Sequence, residues 1–157
     1  MKNSTSVDLN YLWIMLHQAR DAIFKLREKE LNKFGISTPK AEILFTIETI
    51  GYRATPTEIS RHLLREFHSV SSILSRMEKQ GLVKKVNDLN RKNLVRVSLT
   101  DKGRQVYHEA VNRKAILKIL SCLSETEAQQ LASSLKKLRD EAIKNLGIEE
   151  RTNLLGY

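Results

Sequence analysis

Between Phe67 and Gln80 the chain places His68, Ser72, Ser75 and Lys79 at intervals of four, three and four residues, with Ser69, Ser71 and Arg76 beside them. A helix through this segment gathers these side chains on one face. All can donate hydrogen bonds, and no carboxylate falls at the centre of the face. Such a set suits phosphate oxygens and the acceptor-rich edges of bases. The alternative is a solvated helix, but a water-facing helix in a basic protein ordinarily mixes acids with bases. The serines allow close approach to a duplex and discriminate bases poorly, so Arg76 and His68 are expected to carry sequence discrimination. On the opposite side, Val70, Ile73, Leu74 and Met77 fall within about a third of the circumference and form the predicted core face.

A second donor group follows. Val83 to Val86 is short and β-prone, and Leu94 to Leu99 alternates Val95, Val97 and Leu99 with Arg96 and Ser98, which predicts a hairpin. Its tip, Asn90-Arg91-Lys92-Asn93, carries two cations that could enter a minor groove or contact phosphate. Taken alone, such a turn is usually just solvated. Its position directly after a candidate recognition helix favours the functional reading. Lys84, Lys85 and Arg96 extend the positive surface, and Thr57 stands at a helix start suited to a phosphate.

Charge distribution agrees with this. The chain has 27 Lys and Arg against 18 Asp and Glu, a net charge of +9 and a pI near 9.8. Between Arg61 and Arg104 there are 11 Lys and Arg against 4 Asp and Glu, so seven charges of excess lie in the middle of the chain. Concentration of that kind points to a polyanionic partner.

These residues need elements to position them. Apolar residues recur along one stripe from Val7 to Phe34, which predicts a long first helix stopped by Gly35 and Ile36. Ser37 is predicted to cap a second helix with Pro39 in its first turn and Gly51 at its end. Thr55-Pro56-Thr57-Glu58 reads as a capping box opening a third helix, with Ile59, Leu63 and Leu64 buried. The fourth helix runs to Gln80, closed by Gly81. After the hairpin, Thr100 caps a fifth helix reaching Leu120, and Ser124-Glu125-Thr126-Glu127 boxes a sixth that ends before Gly147. The expected fold is mainly α with a small β-hairpin wing: a winged helix-turn-helix domain over 37–103, flanked by terminal helices at 1–36 and 104–157, to which the resemblance given next assigns dimerisation.

Three stretches together resemble the MarR family of winged helix-turn-helix transcriptional regulators. They are Thr55-Pro56-Thr57-Glu58-Ile59-Ser60, the run from Val70 to Val83 with Arg76-Met77-Glu78-Lys79-Gln80-Gly81, and Val95-Arg96-Val97-Ser98-Leu99-Thr100-Asp101-Lys102-Gly103. The resemblance implies a homodimer built from the first, fifth and sixth helices, with the fourth helix in the major groove of double-stranded DNA and the wing alongside. It further implies a small-molecule effector, for which Trp13, His17 and Arg20 are the candidate lining. The expected activity is that of a sequence-specific regulator, more often a repressor, reading a pseudo-palindrome with half-sites about one helical turn apart. One departure lies in the wing. The family commonly has Asp-x-Arg, whereas this chain reads Asp88-Leu89-Asn90-Arg91, one residue longer between acid and base.

Other sites are expected to be absent. His17, His62, His68 and His108 form no dense ligand pattern, so no metal or other cofactor is predicted. No nucleophile motif, phosphate-cradling glycine loop or paired carboxylates argue for an enzyme. Cys122 is read as a buried small hydrophobe. The opening residues lack an apolar signal core, and a cytoplasmic protein is expected. The rival reading is a sequence-tolerant architectural nucleic-acid-binding protein. The tail from Arg151 to Tyr157 receives no assignment.

Overall fold

The computed structural model describes residues 7–88, 91 and 93–147. Along the chain run α1 (Leu9–Leu31), α2 (Thr38–Ile50), α3 (Pro56–His62), α4 (Phe67–Lys79), β1 (Val83–Asn87), β2 (Val95–Leu99), α5 (Asp101–Val111), α6 (Lys114–Leu120) and α7 (Glu125–Asn145). The unassigned tail from Arg151 lies outside the described residues.

Most ends form as their sequences dictate. Asp8 caps α1 by accepting from the Asn10 N–H. The last predicted turn of α1 tightens into a 3₁₀ segment at Asn32–Phe34, after which Gly35 takes φ +67° and Ile36 turns inward to become buried. At α2 the expected cap is replaced. Ser37 holds the N-cap position without a side-chain bond, and Glu28 of α1 accepts from the Thr38 N–H at 2.7 Å. A carboxylate there also meets the positive end of the helix dipole, so the packing of α1 against α2 supplies what Ser37 does not.

The Thr55 box forms by half. Thr55 Oγ1 accepts from Glu58 N at 3.1 Å, while the Glu58 carboxylate pairs with Arg61 instead of returning to the cap. α3 then ends in a Schellman turn, with Arg65 N donating to Ser60 O and Leu64 N to Arg61 O. This puts Leu64 in the left-handed region at φ +50° and leaves it 47% exposed, contrary to the burial expected of it.

The core gathers around α2, α3, α4, the hairpin and α5. Leu31, Ile43, Leu44, Ile59, Val70, Leu74 and Met77 are fully excluded from solvent. The predicted inner face of α4 is therefore the observed one, Ile73 included. Truncating a side chain as enclosed as Leu74 to Ala costs about 2–5 kcal/mol. The strands pair antiparallel with Val83 opposite Leu99 and Asn87 opposite Val95. The hairpin is docked by Val97 N, which donates to Ala54 O at 2.8 Å, just before α3 begins.

Thr100 caps α5 by accepting from Gly103 N, but the expected fifth helix is broken in two. Asn112 closes α5 still in the right-handed α region, and the break comes at Arg113, which takes φ +39°. The apolar period runs on through Ile116 and Leu120, so periodicity could not reveal the break. Ser124 and Glu127 complete the predicted capping box of α7 in both directions. Cys122, expected to be buried, is exposed in the turn between α6 and α7. Within α7 only Ile143 is buried, and Leu131, Leu135 and Leu138 stand open to solvent. The same is true of Leu9, Leu12, Trp13 and Ile14 at the start of α1.

Candidate nucleic-acid interface

The short turn between α3 and α4 is pinned from outside. Arg65 donates to the Glu42 carboxylate of α2 at 2.7 Å, fixing where α4 starts. Burial pushes the Glu42 carboxyl up, opposed by Arg65 and then Arg20. With Val70, Ile73, Leu74 and Met77 locked into the core, the orientation of α4 leaves no freedom over which side faces out.

That outer side carries exposed His68, Ser69, Ser72, Arg76 and Lys79. His68 rests edge-on against the exposed ring of Phe67, with centroids 5.7 Å apart. Ser71 and Ser75 are half-buried. Ser75 donates to the Ser71 carbonyl and accepts from Lys85 Nζ at 3.2 Å, so its hydroxyl is engaged between α4 and β1. Lys85 also pairs with Glu78 at 3.2 Å, which draws the one acid of the outer flank toward the hairpin. The result is a donor surface with its neighbouring carboxylate neutralised.

In the wing, Arg91 is exposed and its backbone N–H donates to Asp88 Oδ1 at 3.1 Å. Asn93 is exposed with φ +73°, a conformation Asn tolerates better than most residues. Asn90 and Lys92 lie outside the described residues. Lys84 on β1 and Thr57 in the first turn of α3 are exposed.

Arg96 is placed differently from its sequence reading as an outward cation. Its Nε donates to Asp88 Oδ2 at 2.7 Å, its Nη1 donates to the Tyr52 carbonyl, and its guanidinium lies 5.9 Å from the Tyr52 ring. Arg96 thus ties the wing loop to the segment joining α2 and α3. The sequence sets Arg91 one residue farther from Asp88 than the family's Asp-x-Arg, and a side-chain partner of Asp88, Arg96, comes from the opposite strand. Beside it, an open groove of about 560 Å³ is lined by Ile47, Glu48, Tyr52, Asp88, Arg96 and Arg104, a feature no local motif announced.

Trp13, His17 and Arg20 share one side of α1. Trp13 and His17 pack edge-to-face at 4.2 Å, and Arg20 pairs with Asp21 while lying 5.8 Å from the Phe24 ring. All three are exposed in the protomer.

The sequence profile of the MarR family matches residues 34–92, a span that begins just after α1, takes in α2, α3, α4 and β1, and stops before β2. The fold is similar over 100% of this chain and 94% of the other to the ligand-free structure of RdhR, an organohalide-sensing transcriptional regulator, at 29% identity and a TM-score of 0.84. Its 2,4-dichlorophenol-bound form gives 0.83 at the same identity, covering 97% of this chain and 92% of that one. A MarR mutant from E. coli in complex with operator DNA gives a TM-score of 0.75 at 22% identity, over 81% of this chain and 92% of the other. The S. aureus MepR–DNA complex gives 0.73 at 20% identity, over 87% and 99%. No curated protein sequence matches the chain. Among the described residues no helix is long and apolar enough to cross a membrane.

Proposed function

We propose that the chain is a member of the MarR family, whose profile matches residues 34–92, and a sequence-specific regulator of transcription that binds double-stranded DNA as a homodimer. The observation that carries the reading is the outer face of α4, where exposed His68, Ser69, Ser72, Arg76 and Lys79 stand together on a helix whose other side is fixed in the core. In this reading α4 enters the major groove, with Arg76 and His68 at base edges and the serines and Lys79 near phosphates. Arg91 and Asn93, with Asn90 and Lys92, serve the flanking groove from the wing. Lys84 and Thr57 add phosphate contacts.

The apolar residues left open on α1, α6 and α7, including Leu12, Trp13, Leu117, Leu131 and Leu135, support pairing with a second copy. Large apolar side chains exposed in such number on the outer helices suit a protein partner. Two-fold pairing would set two α4 helices against half-sites about one helical turn, ~10 bp, apart, and so a pseudo-palindromic operator. The reading extends to repression relieved by a small-molecule effector bound near Trp13, His17 and Arg20. Support for that step comes from the aromatic and cationic character of this side of α1 and from the dichlorophenol complex of RdhR.

Selection from a random-sequence duplex pool tests the reading. We expect enrichment of an inverted repeat, bound by a dimer far more tightly than random DNA at about 150 mM salt. Equal affinity for selected and random duplexes would make the protein a sequence-tolerant architectural binder instead.

A further inference from the structure

Arg27 and Glu30 lie one turn apart on α1 and form an ion pair whose side chains are only 13% and 15% exposed. Each also reaches out of α1, on opposite sides of the Val111–Arg113 break. Arg27 Nη2 donates to the Ala110 carbonyl, and the Ala115 N–H donates to Glu30 Oε1 at 3.0 Å. One ion pair thereby satisfies a carbonyl in the last turn of α5 and an amide in the first turn of α6, groups that a helix end otherwise leaves without partners.

Between them stands Arg113, at φ +39°, with its guanidinium 4.4 Å from the Phe45 ring of α2. A side chain in the left-handed region costs about 1–2 kcal/mol, so this break persists because its surroundings hold it. Those surroundings come from different elements. α5 packs on α2 and β2, within the lobe that carries α4, whereas α6 packs on α1, whose C-terminal end itself packs on α2. The break is the joint between the DNA-binding lobe and the outer helices.

We propose that Arg27 and Glu30 are positioning residues for DNA docking, which fix the angle of this joint and with it the separation of the two α4 helices in the dimer. The inference rests on the dimeric DNA-binding reading above. Burial pushes the Glu30 carboxyl up, but the Ala115 amide and Arg27 together outweigh it and hold it below the usual carboxylate range. The pair therefore remains charged at neutral pH. Removing either partner leaves a shielded charge without compensation and releases one side of the break. Lysine cannot substitute for Arg27, because only the guanidinium fork reaches Glu30 and the Ala110 carbonyl together.

The test uses the full chain in a Cys122→Ser background, spin-labelled through Gln105→Cys on the exposed side of α5. Pulsed dipolar spectroscopy then reads the distance between the two lobes, and titration reads affinity for a duplex selected by the wild-type chain. We expect one narrow distance in the parent. In Arg27→Gln and Glu30→Gln the distribution broadens and affinity falls about tenfold, while Arg27→Lys fails to restore the narrow distance. The Ala115 amide exchanges faster in Glu30→Gln. Should Arg27→Gln not fold, the isosteric Glu30→Gln decides. Variants with unchanged distances and affinity would overturn the inference alone, even if their melting temperature fell. A monomeric or unselective parent would overturn the dimeric reading and the inference with it.

Discussion

Arg96 and Asp88 face each other across the hairpin, with Nε and Oδ2 2.7 Å apart and side chains 30% and 12% exposed. Because Arg96 also donates to the Tyr52 carbonyl, the pair links the wing loop to the segment that leads into α3. This predicts an effect opposite to simple electrostatics. Asp88→Asn removes a negative charge from a surface proposed to meet DNA, which by itself strengthens binding. Loss of the brace weakens it, and we expect the brace to dominate, with affinity for a selected duplex falling about three- to tenfold. The double variant Asp88→Asn/Arg96→Gln should bind no worse than the weaker single variant, because both changes remove one interaction. Filter binding of the three variants checks this, and tighter binding by Asp88→Asn would return Arg96 to the list of direct contacts.

Arg76 and Arg91 are expected to differ in kind. Arg76 is exposed on the outer face of α4 and Arg91 on the wing, and the proposed docking assigns the first to a base edge and the second to phosphate. Arg76→Ala should therefore weaken specific binding by about 1–3 kcal/mol with little change for random DNA. Arg91→Ala should weaken both and lower the salt slope by about one. Competition between matched and scrambled duplexes at several salt concentrations separates the two, and an unchanged specificity ratio in Arg76→Ala would remove it from base readout.

His62, half-buried at the end of α3, gives a pH dependence. Burial pushes its imidazole below the ordinary 6.5, the Glu58 carboxylate opposes this, and Arg53 adds to the depression. The folded state therefore favours the neutral ring. Above 6.5 neither state binds the proton and the fold loses nothing. As pH falls below 6.5, the unfolded chain takes up a proton that the folded one resists, and stability declines. Urea unfolding at pH 7 and pH 5 should show this loss, and His62→Gln should reduce it. An identical pH dependence in the variant would clear His62 of the effect.

What the sequence made legible was local. The stops at Gly35, Gly81 and Gly147 and the boxed Ser124–Glu127 cap depend on residues within a turn of one another, and each took the expected conformation. The inner face of α4 follows from period alone. The departures arise where a distant element intervenes. Glu28 displaces Ser37 as the cap of α2, Lys85 engages Ser75, and Arg96 turns toward Asp88 and Tyr52. The break after Val111 is held by Arg27 and Glu30, whose spacing reads in the sequence as an ordinary surface pair on one helix. Nothing near Cys122 marked it as exposed, since an apolar neighbourhood in sequence does not fix which way a turn faces.

Gly103 supplies the last prediction, and it concerns space instead of backbone freedom. The residue is buried in the first turn of α5, beneath the junction of α4 with β1. A Cβ built there would sit 1.9 Å from the Leu82 carbonyl oxygen and 2.9 Å from its carbon. Both are backbone atoms, and neither can swing aside as a side chain would. The same Leu82 oxygen accepts from Thr100 N at 3.1 Å, so moving it also disturbs the cap of α5. Alanine ordinarily favours a helix interior over glycine by about 1 kcal/mol, but here the clash should prevail. We expect Gly103→Ala to destabilise the fold by about 2–4 kcal/mol, the upper range of overpacking. Because α5 bridges the DNA-binding lobe and the joint at Val111–Arg113, the variant should also lose DNA affinity before it unfolds. Chemical denaturation reads the first effect and duplex titration at low temperature the second. Wild-type stability in Gly103→Ala would show that α5 can slide away from Leu82.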